Sequence, residues 1–243
     1  MTTKIRRRRE SYSSPLINER RERILKVAQS LIEETGEAGF TIRELSKRAN
    51  VAQRTLYNAF GDKETIIARA MEEHYAARYQ DRKYWQERIT LKSVLNFIDQ
   101  SVLDILATRE YARSMVNVYF SPRANEKVYL ALKHIASRSV RMWAETARQK
   151  GWLEAWYPIG SIGDRYANIF MSTVHDWLIG RIADEDLAMH VKLDFLLTIA
   201  EAVRPRERAE VGRLVTGLLL RRDQRNRSLA PEKPKRTRKT RAS

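Results

Sequence analysis

Gln53, Arg54, Thr55, Tyr57 and Asn58 fall together in the stretch RANVAQRTLYNAF, residues 48–60. A guanidinium, a phenol, a hydroxyl and two carboxamides so closely spaced suit hydrogen bonding to a polar surface outside the chain. Arg and Gln can each engage a base edge with two hydrogen bonds, while Thr and Tyr hydroxyls and Lys ammonium groups suit phosphate oxygens. On a helix turning about 100° per residue, Ala52, Leu56, Ala59 and Phe60 fall on one side. Arg54, Tyr57 and Asn58 fall opposite, with Gln53 and Thr55 on the flanks. The first set predicts an anchor and the second a presenting face. A solvated surface helix with no partner would show the same wheel.

Neighbouring segments bear on the choice. Ile24, Val27, Ala28, Leu31 and Ile32 form one helical apolar stripe, and Gly36 and Gly39 predict its end. Thr41-Ile-Arg-Glu44 has the spacing of a capping box, a hydroxyl at the cap and a carboxylate three residues on. It predicts a short helix from Ile42 to Ala49. Asn50 tolerates the left-handed conformation of a sharp turn. A second short helix over 52–60 follows, broken by Gly61, and Asp62 can cap a longer helix from Lys63 to about Tyr84. Two short helices, a tight turn and a polar second helix predict a helix-turn-helix whose second helix enters a major groove.

The remainder of the 243 residues reads as helix throughout, so the predicted fold is all-α with nine or ten helices. Only 9 Gly and 6 Pro interrupt a chain that is 43% apolar, enough for a core of long helices. Leu91, Val94, Leu95, Ile98, Val102, Ile105 and Leu106 form one stripe, and Tyr166, Ile169, Phe170, Val174, Trp177, Leu178 and Ile182 another. Ser121-Pro122 predicts the start of a helix ending near Gly151. The last two helices are expected over 186–203 and 207–221. The absence of Cys excludes disulfides and thiolate metal sites and fits a reducing, cytoplasmic setting. No apolar run nears the ~20 residues needed to span a bilayer, and no apolar stretch follows Arg6–Arg9 to make a signal peptide.

Net charge is +16, and most of it lies at the ends of the chain. Residues 1–60 carry 13 Lys and Arg against 7 Asp and Glu; residues 221–243 carry 10 against 2; the long middle is nearly neutral. This pattern predicts a polyanion contact at one part of the molecule. Residues 1–18 read as a disordered basic arm, 19–66 as the helix-turn-helix domain, 67–222 as the body and 223–243 as a disordered basic tail. The two ends could follow a groove or hold DNA non-specifically, or simply stay solvated. No nucleophile elbow or phosphate-cradling glycine loop appears, so no enzyme activity and no cofactor are expected. The four His residues lack metal-ligand spacing, and Asp184-Glu185-Asp186 more simply complements a helix N-terminus than a metal ion.

The segment TIRELSKRANVAQRTLYNAFGDKETI resembles the DNA-binding segment of the TetR-type (TetR/AcrR) transcriptional regulators. The Gly-Phe-Thr approach, the Thr-Leu-Tyr triplet, Phe60 and the Lys63-Glu64 helix start carry the likeness, which covers residues 20–75. Asn50 stands where that family often has Gly, and Ala52 where it often has a capping Ser or Thr. The resemblance implies that Thr41 and Lys63 hold phosphates. It implies that Tyr57 and Thr55 contact backbone or a thymine methyl, and that Gln53, Arg54 and Asn58 reach bases. Arg43 would contact base or phosphate. It also implies that the later helices bind a small-molecule effector and join two subunits.

For the subunit contact, the near-continuous apolar character of KLDFLLTIAEAV (192–203) predicts burial on more than one side. The segments 165–182 and 186–203 are therefore the expected homodimer interface, a four-helix contact about a two-fold axis. For the effector, Tyr75, Tyr79, Met115, Tyr119, Trp143 and Trp177 are the candidate contacts, and an apolar or aromatic compound is expected. The sequence thus reads as a homodimeric, ligand-responsive repressor that binds a near-palindromic double-stranded operator. The alternative is a general nucleic-acid-binding protein acting mainly through its basic ends.

Overall fold

The computed structural model describes residues 15–80, 89–122, 124 and 126–229. Ten α-helices account for most of them, and the one β-like feature among the described residues is an isolated antiparallel bridge, Leu153 to Val203. The arm over 1–14, residues 81–88 and the tail from 230 lie outside the described residues.

Helix α1 (Pro15–Gly39) starts inside the stretch read as an arm, with Pro at its first position, where the missing N–H costs nothing. Its stripe Ile24, Leu25, Ala28, Leu31 and Ile32 is buried. Gly36 breaks the helical path at φ 63°, which a residue without Cβ adopts freely. Helices α2 (Ile42–Ala49) and α3 (Gln53–Phe60) follow, and α4 (Lys63–Gln80) runs on through residues 66 and 67, where the sequence divides the domains. Gln29 on α1 donates to the Ala70 carbonyl at 3.0 Å, tying α1 to α4.

The body comprises α5 (Leu91–Ala107), α6 (Arg109–Tyr119), α7 (Glu126–Gln149), α8 (Ile159–Leu178), α9 (Asp184–Ile199) and α10 (Pro205–Leu229). Thr90 and Ser93 form a reciprocal capping box at the start of α5. Several bounds differ from those read in the sequence. α7 begins at Glu126, because Ser121 and Pro122 belong to a turn in which the Ser121 N–H bonds the Val118 carbonyl. α8 begins seven residues before Tyr166 and stops at Leu178, since Gly180 takes φ 81° in the turn that follows. α9 begins at Asp184, so its three acidic residues occupy the first turn and face the positive end of the helix dipole. α10 extends through Leu229, past the expected end near 221.

Trp177 explains part of this layout. Its indole N–H donates to Asp184 at 2.7 Å, and the Arg109 guanidinium lies 4.5 Å from its ring centroid. One aromatic thus joins the end of α8, the start of α9 and the start of α6. Trp143 packs edge-on against Phe195, 5.6 Å between centroids, and ties α7 to α9. Thr173 on α8 donates to the Asp194 carboxylate on α9 at 2.5 Å. Burial pushes that carboxyl above the usual carboxylate range, against the opposing pull of Thr173 and the nearby His190. Among the described residues no helix is long and apolar enough to cross a membrane.

Candidate nucleic-acid interface

The α2–α3 unit is held by local bonds that its sequence supplies. Thr41 caps α2, its hydroxyl accepting from the Glu44 N–H at 3.1 Å. The reciprocal half of the expected capping box is absent, because Glu44 instead accepts from Arg48 at 2.7 Å. That hydrogen bond holds the Glu44 carboxyl below the usual carboxylate range. Arg48 also reaches Glu34 on α1 at 2.6 Å, so this arginine is spent on joining α2 to α1. Asn50 adopts the expected left-handed conformation at φ 50° and ψ 52°. Ser46 closes the turn twice, its carbonyl accepting from the Val51 N–H at 3.1 Å and its hydroxyl donating to the Val51 carbonyl at 2.8 Å.

Helix α3 lies on this support through Leu56, which is 0% exposed. Ala59 and Phe60 are half-buried beside it. Ala52, placed with the apolar side on the wheel, is exposed instead. It precedes the first helical turn as the cap residue and offers no side-chain hydrogen bond to it. A feature not read from the sequence fixes the other end of α3. The Arg21 guanidinium on α1 donates to the Ala59 carbonyl and lies 5.6 Å from the Phe60 ring centroid. A cation there complements the negative end of the helix dipole. Its only sequence signal is a basic residue in a helix rich in them. Gly61 then turns at φ 95°, and Asp62 caps α4, accepting from the Thr65 N–H at 2.7 Å.

On the outer side of α3, Gln53, Arg54 and Asn58 are exposed, Tyr57 is 49% exposed, and Thr55 is half-buried. Thr41 and Arg43 on the neighbouring edge of α2 are exposed as well. Lys63 is half-buried at the start of α4, its ammonium 5.9 Å from the Phe40 ring centroid. The structure therefore brings all eight expected contact residues onto the helix-turn-helix and its immediate flank. Residues 41–63 hold five basic and two acidic side chains, and Glu44 is consumed by Arg48. The surface is net positive, polar and backed by packed helices, which suits an anionic, hydrogen-bonding ligand.

A second feature lies in the body. A cavity enclosed by the six helices α4 to α9 is lined by Tyr75, Phe97, Met115, Tyr166 and Phe170, together with smaller residues that include Ser101 and Ser139. The cavity is narrow, with a volume of ≈ 30 Å³. Of the six expected effector contacts, Tyr75 and Met115 are in the wall. Tyr119 lies elsewhere, hydrogen-bonded to Asn168 at 2.5 Å, and Trp143 and Trp177 serve the helix junctions described above. The side chain of Tyr79 lies outside the described residues. No group of three His, Asp or Glu among the described residues is placed to hold a metal ion.

Residues 24–70 match the family model described as bacterial regulatory proteins, tetR family. No curated protein matches the sequence. Among solved structures the chain is similar to Thermus thermophilus FadR, a TetR family transcriptional repressor in complex with lauroyl-CoA. The TM-score is 0.63 at 18% identity, over 76% of this chain and 96% of that one. It is also similar to SmeT, the repressor of the Stenotrophomonas maltophilia multidrug efflux pump SmeDEF. Here the TM-score is 0.53 at 19% identity, over 76% and 91% of the two chains. A TetR transcriptional regulator from Rhodococcus sp. RHA1 gives 0.58 at 17% identity, over 76% and 99%. At these identities the likeness shows the fold, with the helix-turn-helix at its N-terminal end.

Proposed function

We propose that this TetR-type chain is a ligand-responsive repressor that binds a near-palindromic operator as a homodimer. The observation that carries the reading is the orientation of α3, with Leu56 fully buried behind an outward row of Gln53, Arg54, Tyr57 and Asn58. In this reading α3 enters the major groove. Gln53, Arg54 and Asn58 reach base edges, Thr55 and Tyr57 touch backbone or a thymine methyl, and Thr41 and Lys63 hold phosphates, with Arg43 beside them. Two copies joined through α8 and α9 place two recognition helices about one turn of DNA apart or somewhat more. Ile169 at 39% exposure and Leu197 at 60% leave apolar surface on those helices in the single chain, which supports that contact.

The body cavity is the proposed effector site, and FadR's complex with lauroyl-CoA supports a ligand in this fold. Two helices connect cavity to DNA face. α4 carries Lys63 at one end and Tyr75 in the cavity wall, about 18 Å apart along the helix axis. α6 carries Met115 in the wall and meets α1 at its kink, where a Cβ on Gly36 would lie 3.7 Å from Glu110 and 4.0 Å from Ser114. An effector releases DNA only if it binds the conformation with mis-spaced helices better than the operator-bound one.

Selection of bound duplexes from a random pool tests the reading, using the full chain and a chain ending at Leu229. The expected result is one enriched near-palindrome for both. The shorter chain should bind more weakly and with a shallower salt dependence, since each phosphate that the tail no longer neutralises takes about 0.9 off the log–log slope. Loss of sequence preference with the tail would instead favour a general nucleic-acid binder working through its basic ends.

A further inference from the structure

Ser101 is half-buried on α5, one turn from Ile98 and Ile105 and beside Val102 of the apolar stripe. Its hydroxyl is buried and makes no hydrogen bond. Three other hydroxyls in the body helices do not behave this way. Ser114 donates to the Glu110 carbonyl, Ser137 to Lys133 and Thr146 to Met142, each satisfying itself one turn back. A buried hydroxyl left unsatisfied carries the full cost of its desolvation. The Trp143 indole N–H is also buried without a hydrogen bond, but it lies outside the cavity wall, whereas the Ser101 side chain lines the cavity enclosed by α4 to α9.

The chemistry of the wall then restricts the occupant. Every side chain lining the cavity among the described residues is uncharged, and its polar side-chain groups are the hydroxyls of Ser101, Ser139, Tyr75 and Tyr166. An anionic or cationic ligand would lose its hydration and meet no counter-ion. A hydroxyl both donates and accepts, so Ser101 can satisfy a phenol, an alcohol or a carbonyl equally. The aromatic and aliphatic remainder suits a ring or chain. Phe97, Ser101, Ile135 and Ala136 are half-buried, so the α5–α7 side is where the cavity comes nearest the surface. Met115, with its flexible thioether, can yield to widen it.

We infer that the cavity takes a neutral, largely apolar molecule with one hydroxyl or carbonyl group, which Ser101 hydrogen-bonds. This rests on the reading of the chain as a ligand-responsive regulator and names the class of its effector. The test uses the full chain with three phenols, namely phenol, 2-naphthol and 4-cyclohexylphenol, and the matched carboxylates benzoate, 2-naphthoate and 4-cyclohexylbenzoate. Calorimetry reads binding, and release of the selected duplex reads response.

At least one phenol should bind saturably, with its carboxylate at least about tenfold weaker because a desolvated charge finds no partner. Ser101→Ala should weaken that phenol about three- to tenfold, the loss of one hydrogen bond. Ala136→Leu, which fills the cavity, should abolish binding. Where that variant folds poorly, Ser101→Ala decides alone. No saturable binding by any phenol, equal binding of phenol and carboxylate, or an unchanged Ser101→Ala variant each overturns the inference. A phenol that passes these criteria yet never releases DNA leaves the site standing and removes the ligand response. Release of DNA by a carboxylate alone does the reverse.

Discussion

On α3 the polar residues Gln53, Arg54, Tyr57 and Asn58 turn outward over a single fully buried leucine, in a segment rich in positive charge. In the cavity enclosed by α4 to α9 the Ser101 hydroxyl is buried, and no charged side chain lines the wall among the described residues. Both regions hold polar groups that the fold itself does not use. The difference lies in what water permits. At the surface a free guanidinium stays solvated until a polyanion displaces the water, so charge is available for recognition. Inside, the same charge would need a permanent counter-ion, and only neutral hydrogen-bonding groups can wait for a ligand. Arg48 and Arg54 draw the same contrast within a few residues. Arg48 is committed to Glu34 and Glu44, whereas Arg54 makes no hydrogen bond or ion pair among the described residues.

The largest effect should come from breaking the anchor on which the outward face depends. Leu56→Ala removes a side chain that is 0% exposed and should cost about 2–5 kcal/mol of stability. Denaturant unfolding reads that loss, and operator binding should disappear with it although no DNA-facing residue has changed. Full operator affinity in a folded Leu56→Ala protein would mean that the outward face is held by something other than this leucine.

Next in size is a change on the face itself. Arg54→Ala should leave the unfolding midpoint almost unmoved and relax preference at its base pair by about 1–3 kcal/mol. Arg48→Ala should do the opposite in kind, loosening α2 from α1 while leaving the selected base preferences as they were. If the two arginines exchange roles in a binding-site selection, the assignment of α3's outer face is wrong.

The two regions also differ in how far the sequence reveals them. α2, its left-handed turn at Asn50 and α3 are decided within some twenty residues by caps and helical spacing, so the wheel over 52–60 places Leu56 inside and Arg54, Tyr57 and Asn58 outside. It fails at Ala52 because that residue precedes the helix and does not share its period. The cavity joins residues from Tyr75 to Val191 on six helices, and no local pattern says which aromatics meet. Trp143 and Trp177 read as candidates by type alone, whereas their neighbours Phe195, Asp184 and Arg109 make them struts. Ser101 does not figure in the apolar stripe read from the sequence. Its meaning needed the knowledge that its hydroxyl is buried without a partner. The bounds of α7 and α8 likewise turned on turn hydrogen bonds and a positive φ at Gly180, neither of which the apolar period reports.

The smallest expected effect concerns Ala52, which has the backbone of a cap without the side chain of one. Its φ of −66° and ψ of 145° are the extended values a capping residue takes, and its carbonyl already accepts from the Thr55 N–H at 2.8 Å. Ala52→Ser would add an oxygen within reach of the first free N–H groups of α3 and should stabilise the protein by about 1 kcal/mol. Thermal unfolding measures this directly. The consequence for DNA depends on whether the uncapped turn leaves those N–H groups for the ligand. If they face a phosphate, Ser competes for them, and operator affinity should fall while stability rises. If they do not, a firmer first turn holds Gln53 and Arg54 better and affinity should rise with stability. The sign of the affinity change, set against the gain in unfolding temperature, therefore reports whether α3 meets the backbone end-on or presents only its side.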